Sequence, residues 1–155
     1  MRVIIQRVSE ANVKVDDKIV GSINQGFVLL VGFTHSDSID DLNYIIKKIK
    51  FIRLFDDNNG IMNIDINDIG GSILSISQFT LYADANKGRR PSYQNAMKYD
   101  EAENLYNQFN KMLMTEGFKV EKGVFGGDMK VSLINDGPVT IILDSKEGNY
   151  ETNKL

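Results

Sequence analysis

Two short segments hold most of the groups in this chain that could carry out chemistry. They are Ser77-Gln78-Phe79-Thr80 and Asn135-Asp136-Gly137-Pro138-Val139-Thr140. The chain has no cysteine and one histidine, His35, which lies between a predicted strand and a predicted helix and is interpreted as a turn residue. Because Ser-His-Asp and Cys-His catalysis both need a histidine base, any covalent or acid/base chemistry here would have to use hydroxyls, an amide, main-chain groups or the substrate itself.

Composition predicts one compact domain in an acidic protein. Of 155 residues, 42% are hydrophobic and 25% are charged, which is enough for a single core. The formal net charge of −3 argues against a general nucleic-acid binder with a broad basic face, and no DNA partner is expected. The sequence has three pairs of adjacent aspartates: Asp16-Asp17, Asp40-Asp41 and Asp56-Asp57. Each pair lies in a predicted turn or at a helix start, so no metal site is predicted.

The sequence also predicts a cytoplasmic protein. The longest apolar run, residues 27–31, is far shorter than the roughly 20 residues that cross a bilayer. The chain opens on a strand-like pattern instead of a charged segment followed by an apolar signal core. We therefore expect neither a membrane segment nor a secretory signal.

The elements that must position the two segments are mostly strands. Alternating or continuous apolar patterns predict strands over residues 3–8, 12–15, 19–23, 27–33, 73–82, 118–124, 129–134 and 139–143. Ser38 and Asp41 form a capping-box pattern at the start of a first helix, and residues 100–116 form a second helix with one apolar stripe. Many strands around two helices that do not alternate with them predict an α+β fold, with a curved or barrel-like, mainly antiparallel sheet and two principal helices in a single domain. That domain is expected over residues 1–144, followed by a polar C-terminal tail, residues 145–155, that we expect to be mobile.

The two segments resemble the signature segments of D-aminoacyl-tRNA deacylases. The resemblance extends in order and spacing to Met1-Arg2-Val3, Gln6-Arg7-Val8, Lys87-Gly88-Arg89-Arg90-Pro91-Ser92 and Phe125-Gly126-Gly127-Asp128-Met129, and it covers roughly residues 1–144. One departure is Gly127, where the family pattern has alanine. The resemblance implies hydrolysis of the ester that joins a D-amino acid, or possibly glycine, to the terminal ribose of tRNA, with rejection of the L-ester and without metal or cofactor.

The resemblance also implies roles for single residues. Ser77, Gln78, Phe79 and Thr80 would form the catalytic segment, in which the amide around Phe79 binds the developing oxyanion. Seven further residues would bind the substrate and select its chirality: Gly137, Pro138, Val139, Thr140, Phe125, Gly127 and Met129. In the family Gly137-Pro138 is a cis peptide that enters the partner subunit's site, so an obligate homodimer is expected. The ribose 2′-hydroxyl would assist hydrolysis.

Three questions stay open at the level of sequence. Strict alternation puts Gln78 and Thr80 on one strand face and Ser77 and Phe79 on the other, so a bend must intervene if Ser77 also enters the site. Thr80 is either a positioning group or a nucleophile, and no histidine or lysine neighbours it in sequence. Lys87, Arg89 and Arg90 are either a solvated loop or the contact for the tRNA acceptor end. Two other functions compete with deacylation. One is a non-catalytic tRNA- or protein-binding dimer, and the other is a hydrolase that cleaves small esters through Thr80.

Overall fold

The computed structural model describes residues 1–148 as eight strands, three α-helices and one 3₁₀ helix. The strands are β1 Arg2–Val15, β2 Lys18–Ile23, β3 Gly26–Gly32, β4 Arg53–Asp56, β5 Met62–Asp65, β6 Ser72–Ser77, β7 Lys119–Lys122 and β8 Lys130–Asp144; the α-helices are α1 Ile39–Phe51, α2 Tyr99–Thr115 and α3 Ser145–Gly148; the 3₁₀ helix is Phe79–Tyr82. Within these residues, no helix combines the length and the apolar character needed to cross a membrane.

Six strands form one nearly closed, barrel-like sheet. Its order is β2-β1-β3-β6-β7, and β8 pairs with β1. The pairs of β1 with β2, β3 and β8 are antiparallel, whereas β3 with β6 and β6 with β7 are parallel. The predicted α+β, barrel-like, mainly antiparallel fold with two principal helices is therefore confirmed.

The sheet separates two apolar cores because strand side chains alternate between its faces. Phe27, Leu29 and Val31 of β3 belong to the larger core, which α1 and α2 cover. Val28 of the same strand belongs to a smaller core inside the barrel, with Leu74 and Ile76 of β6. The predicted apolar stripe of α2 is confirmed: Ala102, Tyr106, Phe109 and Leu113 are buried, while Leu105 and Met112 pack against them partly buried.

Two pairs of predicted strands are in fact continuous. Residues 3–8 and 12–15 belong to the single strand β1, whose pairing with β8 shifts register between Gln6 and Val8 and again between Val8 and Glu10. Residues 129–134 and 139–143 fall largely within β8. Gln6 pairs with Thr140 and Val8 pairs with Asn135, so residues 136–139 lie opposite Arg7 alone. A bulge of this kind interrupts the alternation of apolar residues, which is why the sequence pattern gives two short strands.

The start of the predicted tail is part of the fold. Residues Ser145–Gly148 form α3, and Ser145 is buried. The Ser145 hydroxyl donates to Asp41 Oδ1 at 2.6 Å, and Lys146 Nζ donates to the same oxygen at 2.9 Å. The first four residues of the predicted tail are thus helical, and Ser145 and Lys146 bond to α1, whereas residues 149–155 lie outside the described part of the chain.

Asp41 joins the first helix to the end of the described chain, and this predicts acid sensitivity. Burial raises the pKa of the Asp41 carboxyl, but hydrogen bonds from Ser145, Lys146 and the Ser38 N–H outweigh burial and hold it at about 2, below the ordinary 3.8. A folded-state pKa below the unfolded value contributes stability above pH 4 that is lost as pH falls toward 2. We expect Asp41→Asn to destabilise the fold by about 2 kcal/mol at pH 7 and by less at pH 3.

Urea unfolding at the two pH values would test this expectation. Asp40→Asn is the matched control, since Asp40 is an exposed neighbour in the same first turn of α1. An equal loss of stability at pH 7 and pH 3 would contradict the assigned role of the Asp41 charge.

Candidate active site

A concave site lies where the neighbouring strands β3 and β6 end. It has a volume of about 580 Å³, within the range of small-molecule pockets. The start of α2 and the β7–β8 connection form its other walls. Its lining residues are Val31, Gly32, Phe33, Ile76, Ser77, Gln78, Phe79, Tyr93, Ala96, Met97, Tyr99, Ala102, Phe125, Gly126, Gly127, Met129 and Val131.

The predicted strand over residues 73–82 stops at Ser77, and a bend brings the start of the first signature segment to this pocket. The Gln78 N–H continues the pairing by donating to the Val31 carbonyl at 2.7 Å. The chain then turns into the 3₁₀ helix Phe79–Tyr82, and the Leu81 N–H donates to the Gln78 carbonyl at 3.2 Å. Ser77, Gln78 and Phe79 therefore line one pocket, although strict alternation would separate them.

Two distant residues hold the bend in place. Arg2 Nη1 donates to the Leu81 carbonyl at 2.8 Å, and its guanidinium pairs with Asp144 and lies 4.9 Å from the centre of the Tyr82 ring. Gly32 permits close packing, because a Cβ at that position would lie 2.9 Å from the Gln78 carbonyl oxygen. Neither residue is among the predicted site residues, although Arg2 stands in the Met1-Arg2-Val3 segment that carries part of the resemblance.

The bend leaves main-chain donors available beside the pocket. Within residues 1–148, the amides of Phe79 and Thr80 have no hydrogen-bond acceptor, as is usual for the first N–H groups of a helical turn. The Gln78 side-chain amide donates to the Thr80 hydroxyl. Thr80 itself is exposed and does not line the pocket. This arrangement offers hydrogen-bond donors to an anion.

The polar groups in the pocket are hydroxyls and an amide. They come from Ser77, Gln78, Tyr93 and Tyr99, and no carboxylate, imidazole or amine is among the lining residues of the described chain. His35 instead bonds through Nε2 to the Gln94 carbonyl at 2.6 Å, consistent with its interpretation as a turn residue. The pocket therefore supplies no strong side-chain base.

The β7–β8 connection forms a wall of the pocket with the predicted residues Phe125, Gly127 and Met129. Gly126 between them has φ of +71°, and a Cβ there would lie 2.5 Å from the Tyr99 hydroxyl oxygen. At Gly127, where the family pattern has alanine, a Cβ would lie 3.2 Å from Val124 Cβ. An alanine side chain would therefore be a tight fit against Val124 in this turn.

The second signature segment lies apart from the pocket of its own chain. Gly137, Pro138 and Thr140 are exposed, Val139 packs partly buried against the larger core, and none of the four lines the pocket. The Gly137-Pro138 peptide bond is cis, as the resemblance implies. The Val139 N–H donates to Asn135 Oδ1 at 3.0 Å, which closes the segment on itself.

Arg7 supports this segment from the facing strand. Its side chain is buried; Nε donates to the Asp136 carbonyl at 2.9 Å and Nη1 donates to the Leu54 carbonyl at 2.7 Å. A Cβ on Gly137 would lie 3.0 Å from Arg7 Nη2, so the guanidinium packs against the dipeptide. Arg7 stands in a recognised segment, yet sequence reasoning gave it no role.

Lys87, Arg89 and Arg90 lie in an exposed loop. Its base is closed by two main-chain hydrogen bonds of 2.8 Å between Asp84 and Ser92. Across residues 1–148, no carboxylate lies within ion-pair distance of these three cations. The loop is therefore available to an anionic partner.

Comparisons with known proteins agree with this architecture. A family model described as D-Tyr-tRNA(Tyr) deacylase matches residues 4–144. A solved structure described as c-Myc DNA unwinding element binding protein is 34% identical, with a TM-score of 0.87 over 93% of this chain and 98% of that chain. A probable eukaryotic D-amino acid tRNA deacylase has a TM-score of 0.80 at 18% identity, over 92% of this chain and 98% of that chain, and so shares the fold. The chain belongs to the D-Tyr-tRNA(Tyr) deacylase family and is a hydrolase.

Proposed function

We propose that the chain removes D-amino acids from tRNA by hydrolysing the ester to the terminal ribose, in the pocket at the ends of β3 and β6. The observation that carries the proposal is the bend at Ser77, which directs Ser77, Gln78 and Phe79 into one pocket beside unused main-chain amides. Family membership supplies the class of reaction. Glycine, which has no side chain to exclude, is a further substrate of the proposed site.

The Phe79 amide is the proposed oxyanion donor. An ester carbonyl placed against it would gain negative charge as water attacks, and fixed main-chain dipoles stabilise that charge without reorganising. Ser77 and Gln78 would orient the ester, and Thr80 would hold Gln78 through the bond between their side chains. Thr80 is thus a positioning group in this proposal.

The ribose 2′-hydroxyl of the substrate is the proposed aid to water activation. The pocket has no carboxylate, imidazole or amine among its described lining residues, so assistance from the substrate fits its chemistry. A 2′-hydroxyl is present in RNA and not in DNA. The proposal therefore makes tRNA the required substrate.

Chiral selection would come from the partner subunit of a homodimer. Gly137 and Pro138 are exposed and lie outside their own pocket, where they are accessible to a second copy. Main-chain atoms can exclude an L side chain without reading its chemistry. An apolar row beside this segment supports a dimer: Ile4 pairs with Leu30 and with Ile142, and Ile142 is 66% exposed.

The loop that carries Lys87, Arg89 and Arg90 is the proposed contact for the acceptor-end phosphates. Changing all three residues to glutamine is expected to weaken tRNA binding and to reduce the slope of log K against log salt by about 0.7–0.9 per lost contact. Binding would be measured from 50 to 200 mM salt. The matched control removes three other exposed positive charges, at Lys47, Lys48 and Lys111 on the helices. The same loss of slope in both variants would contradict a specific role for the loop.

Two alternatives to hydrolysis are the binding of tRNA or a protein and the binding of DNA. A non-catalytic tRNA- or protein-binding dimer would bind without hydrolysis. The similar protein described as c-Myc DNA unwinding element binding protein suggests DNA as a partner, but a chain of net charge −3 with one small cationic loop favours a short contact at an RNA end.

Because aminoacylated tRNA is consumed in translation, the proposed activity belongs in the cytoplasm.

Release of amino acid from matched D- and L-tyrosyl-tRNA tests the proposal. The purified chain, with a chelator present and enzyme-free rates subtracted, is expected to cleave the D-ester selectively. Light scattering on the same sample reports whether it is a dimer. Binding of tRNA without hydrolysis by folded protein would support the non-catalytic alternative, and equal cleavage of both esters would contradict the chiral role of Gly137-Pro138.

A further inference from the structure

A buried polar cluster lies in the core between α2 and β6, directly behind the pocket. It consists of Ser75, Tyr106 and Asn110, which are 0%, 2% and 0% exposed. Tyr106 and Asn110 are one helical turn apart on α2, and Ser75 is two residues before Ser77. Burial raises the pKa of the Tyr106 phenol.

The Ser75 carbonyl is a junction between two walls of the pocket. It accepts a hydrogen bond from Tyr106 Oη at 2.9 Å and another from the Gly123 N–H at 3.1 Å. The first wall, the end of β6, continues from this point into Ser77 and the bend. The second wall, the β7–β8 connection, starts at Gly123. The Tyr106 hydroxyl therefore bonds at the point where both walls originate.

The ring of Tyr106 also touches the pocket wall. Its centre lies 5.5 Å from that of Phe125, at an interplanar angle of 42°. Phe125 in turn packs edge-on against Tyr99 at 5.0 Å, and both line the pocket. Hydroxyl and ring together connect α2, β6 and the β7–β8 connection.

The cluster is costly for stability. Ser75 Oγ and both polar atoms of the Asn110 amide are buried without a hydrogen-bond partner among the described residues. Such groups destabilise a fold, and apolar side chains of similar shape would fill the site at lower cost. Within this costly cluster, the Tyr106 hydroxyl is the group that bonds to the origin of the pocket walls, so a functional demand on the cluster falls on Tyr106.

We propose that Tyr106 is a positioning residue for deacylation, whose hydroxyl fixes the β6 bend relative to the β7–β8 connection. The inference rests on the proposed function of the pocket. Tyr106 acts indirectly, by fixing the positions of the Phe79 amide and of Phe125, and does not itself touch the substrate. Small displacements of groups that stabilise a transition state lower kcat more than they weaken substrate binding.

Tyr106→Phe tests this role because it removes the hydroxyl and keeps the ring. We expect kcat for D-tyrosyl-tRNA to fall about tenfold, with KM within about twofold of the unmodified chain. Tyr44→Phe is the matched control: Tyr44 lies on α1, packs against the larger core and does not line the pocket. Thermal unfolding of each variant shows that the assay is performed on folded protein.

Asn110→Leu separates positioning from mere packing. Asn110 makes no hydrogen bond to the Tyr106 hydroxyl, and an apolar side chain of similar size relieves its unpartnered amide, so we expect unchanged or higher thermal stability together with an unchanged kcat. An unchanged kcat in Tyr106→Phe would overturn the proposal, as would an equal loss of kcat in Asn110→Leu or a change in KM alone. If the unmodified chain does not cleave the D-ester, the proposed function fails and this inference fails with it; normal cleavage by Tyr106→Phe overturns only the inference.

Discussion

Replacement of Arg7 by lysine is expected to lower kcat/KM for D-tyrosyl-tRNA about a hundredfold, which corresponds to about 2.7 kcal/mol of lost transition-state stabilisation. Arginine and lysine carry the same charge, but only arginine presents several donors in one rigid plane. Arg7 uses this geometry to donate to two main-chain carbonyls, those of Leu54 and Asp136, while pairing with Asp56 at 3.3 Å.

The physical reason is that a lysine would leave main-chain carbonyls without a hydrogen-bond donor. A single ammonium cannot reach both carbonyls in the arrangement of the guanidinium, and each carbonyl left unpaired in a buried position costs about 1–3 kcal/mol. The Asp136 carbonyl belongs to the residue before Gly137, in the stretch that bulges from the β1–β8 ladder. Its release would let the dipeptide move relative to the site that it enters in the proposed dimer.

The control is Arg53→Lys. Arg53 is exposed and donates to Asn63 Oδ1 at 3.2 Å, so the same chemical change is made away from the segment. Rates on D- and L-tyrosyl-tRNA would be measured for both variants, with the dimer content checked. Near-normal selectivity and rate in folded Arg7→Lys would show that the segment keeps its position without the guanidinium.

Local sequence patterns predict the elements that depend on local contacts. The stripe from Ala102 to Leu113 predicts α2 because helical spacing brings these side chains to one face, and the structure buries that face. The same holds for β3, where a continuous apolar run lies between two cores. For α2 and β3, residues close together in the sequence are enough to predict the element.

The site depends on contacts that no local pattern contains. The bend after Ser77 is held by Arg2, 79 positions from Leu81, and the bulge of β8 is held by Arg7, 129 positions from Asp136. Asp136-Gly137-Pro138 has the composition of a turn, so a pattern that reads neighbours ends the strand there. Sequence spacing could show that Ser77 needs a bend, but the residues that make the bend are visible only in the fold.

A substrate whose terminal ribose lacks the 2′-hydroxyl is expected to be hydrolysed at least about a hundredfold more slowly, since general acid–base assistance contributes about 10²–10⁴ to such reactions. The described pocket lining offers hydroxyls, an amide and main-chain groups, and no stronger base. The substrate's own hydroxyl is the remaining group close to the ester. The comparison requires D-tyrosine esterified at the 3′ position of matched normal and 2′-deoxy tRNA ends, with KM measured for both so that a loss of binding is not mistaken for a loss of chemistry.

Thr80→Ala completes this test, because a threonine nucleophile would not need the 2′-hydroxyl. In the structure the Thr80 hydroxyl accepts a hydrogen bond from Gln78, an amide that cannot remove its proton. We therefore expect Thr80→Ala to retain hydrolysis within about tenfold, and no acyl-enzyme to accumulate. If the 2′-deoxy ester were cleaved at the normal rate and Thr80→Ala were inactive, the ester carbonyl would have to be attacked by the protein, and the pocket would be that of a covalent esterase.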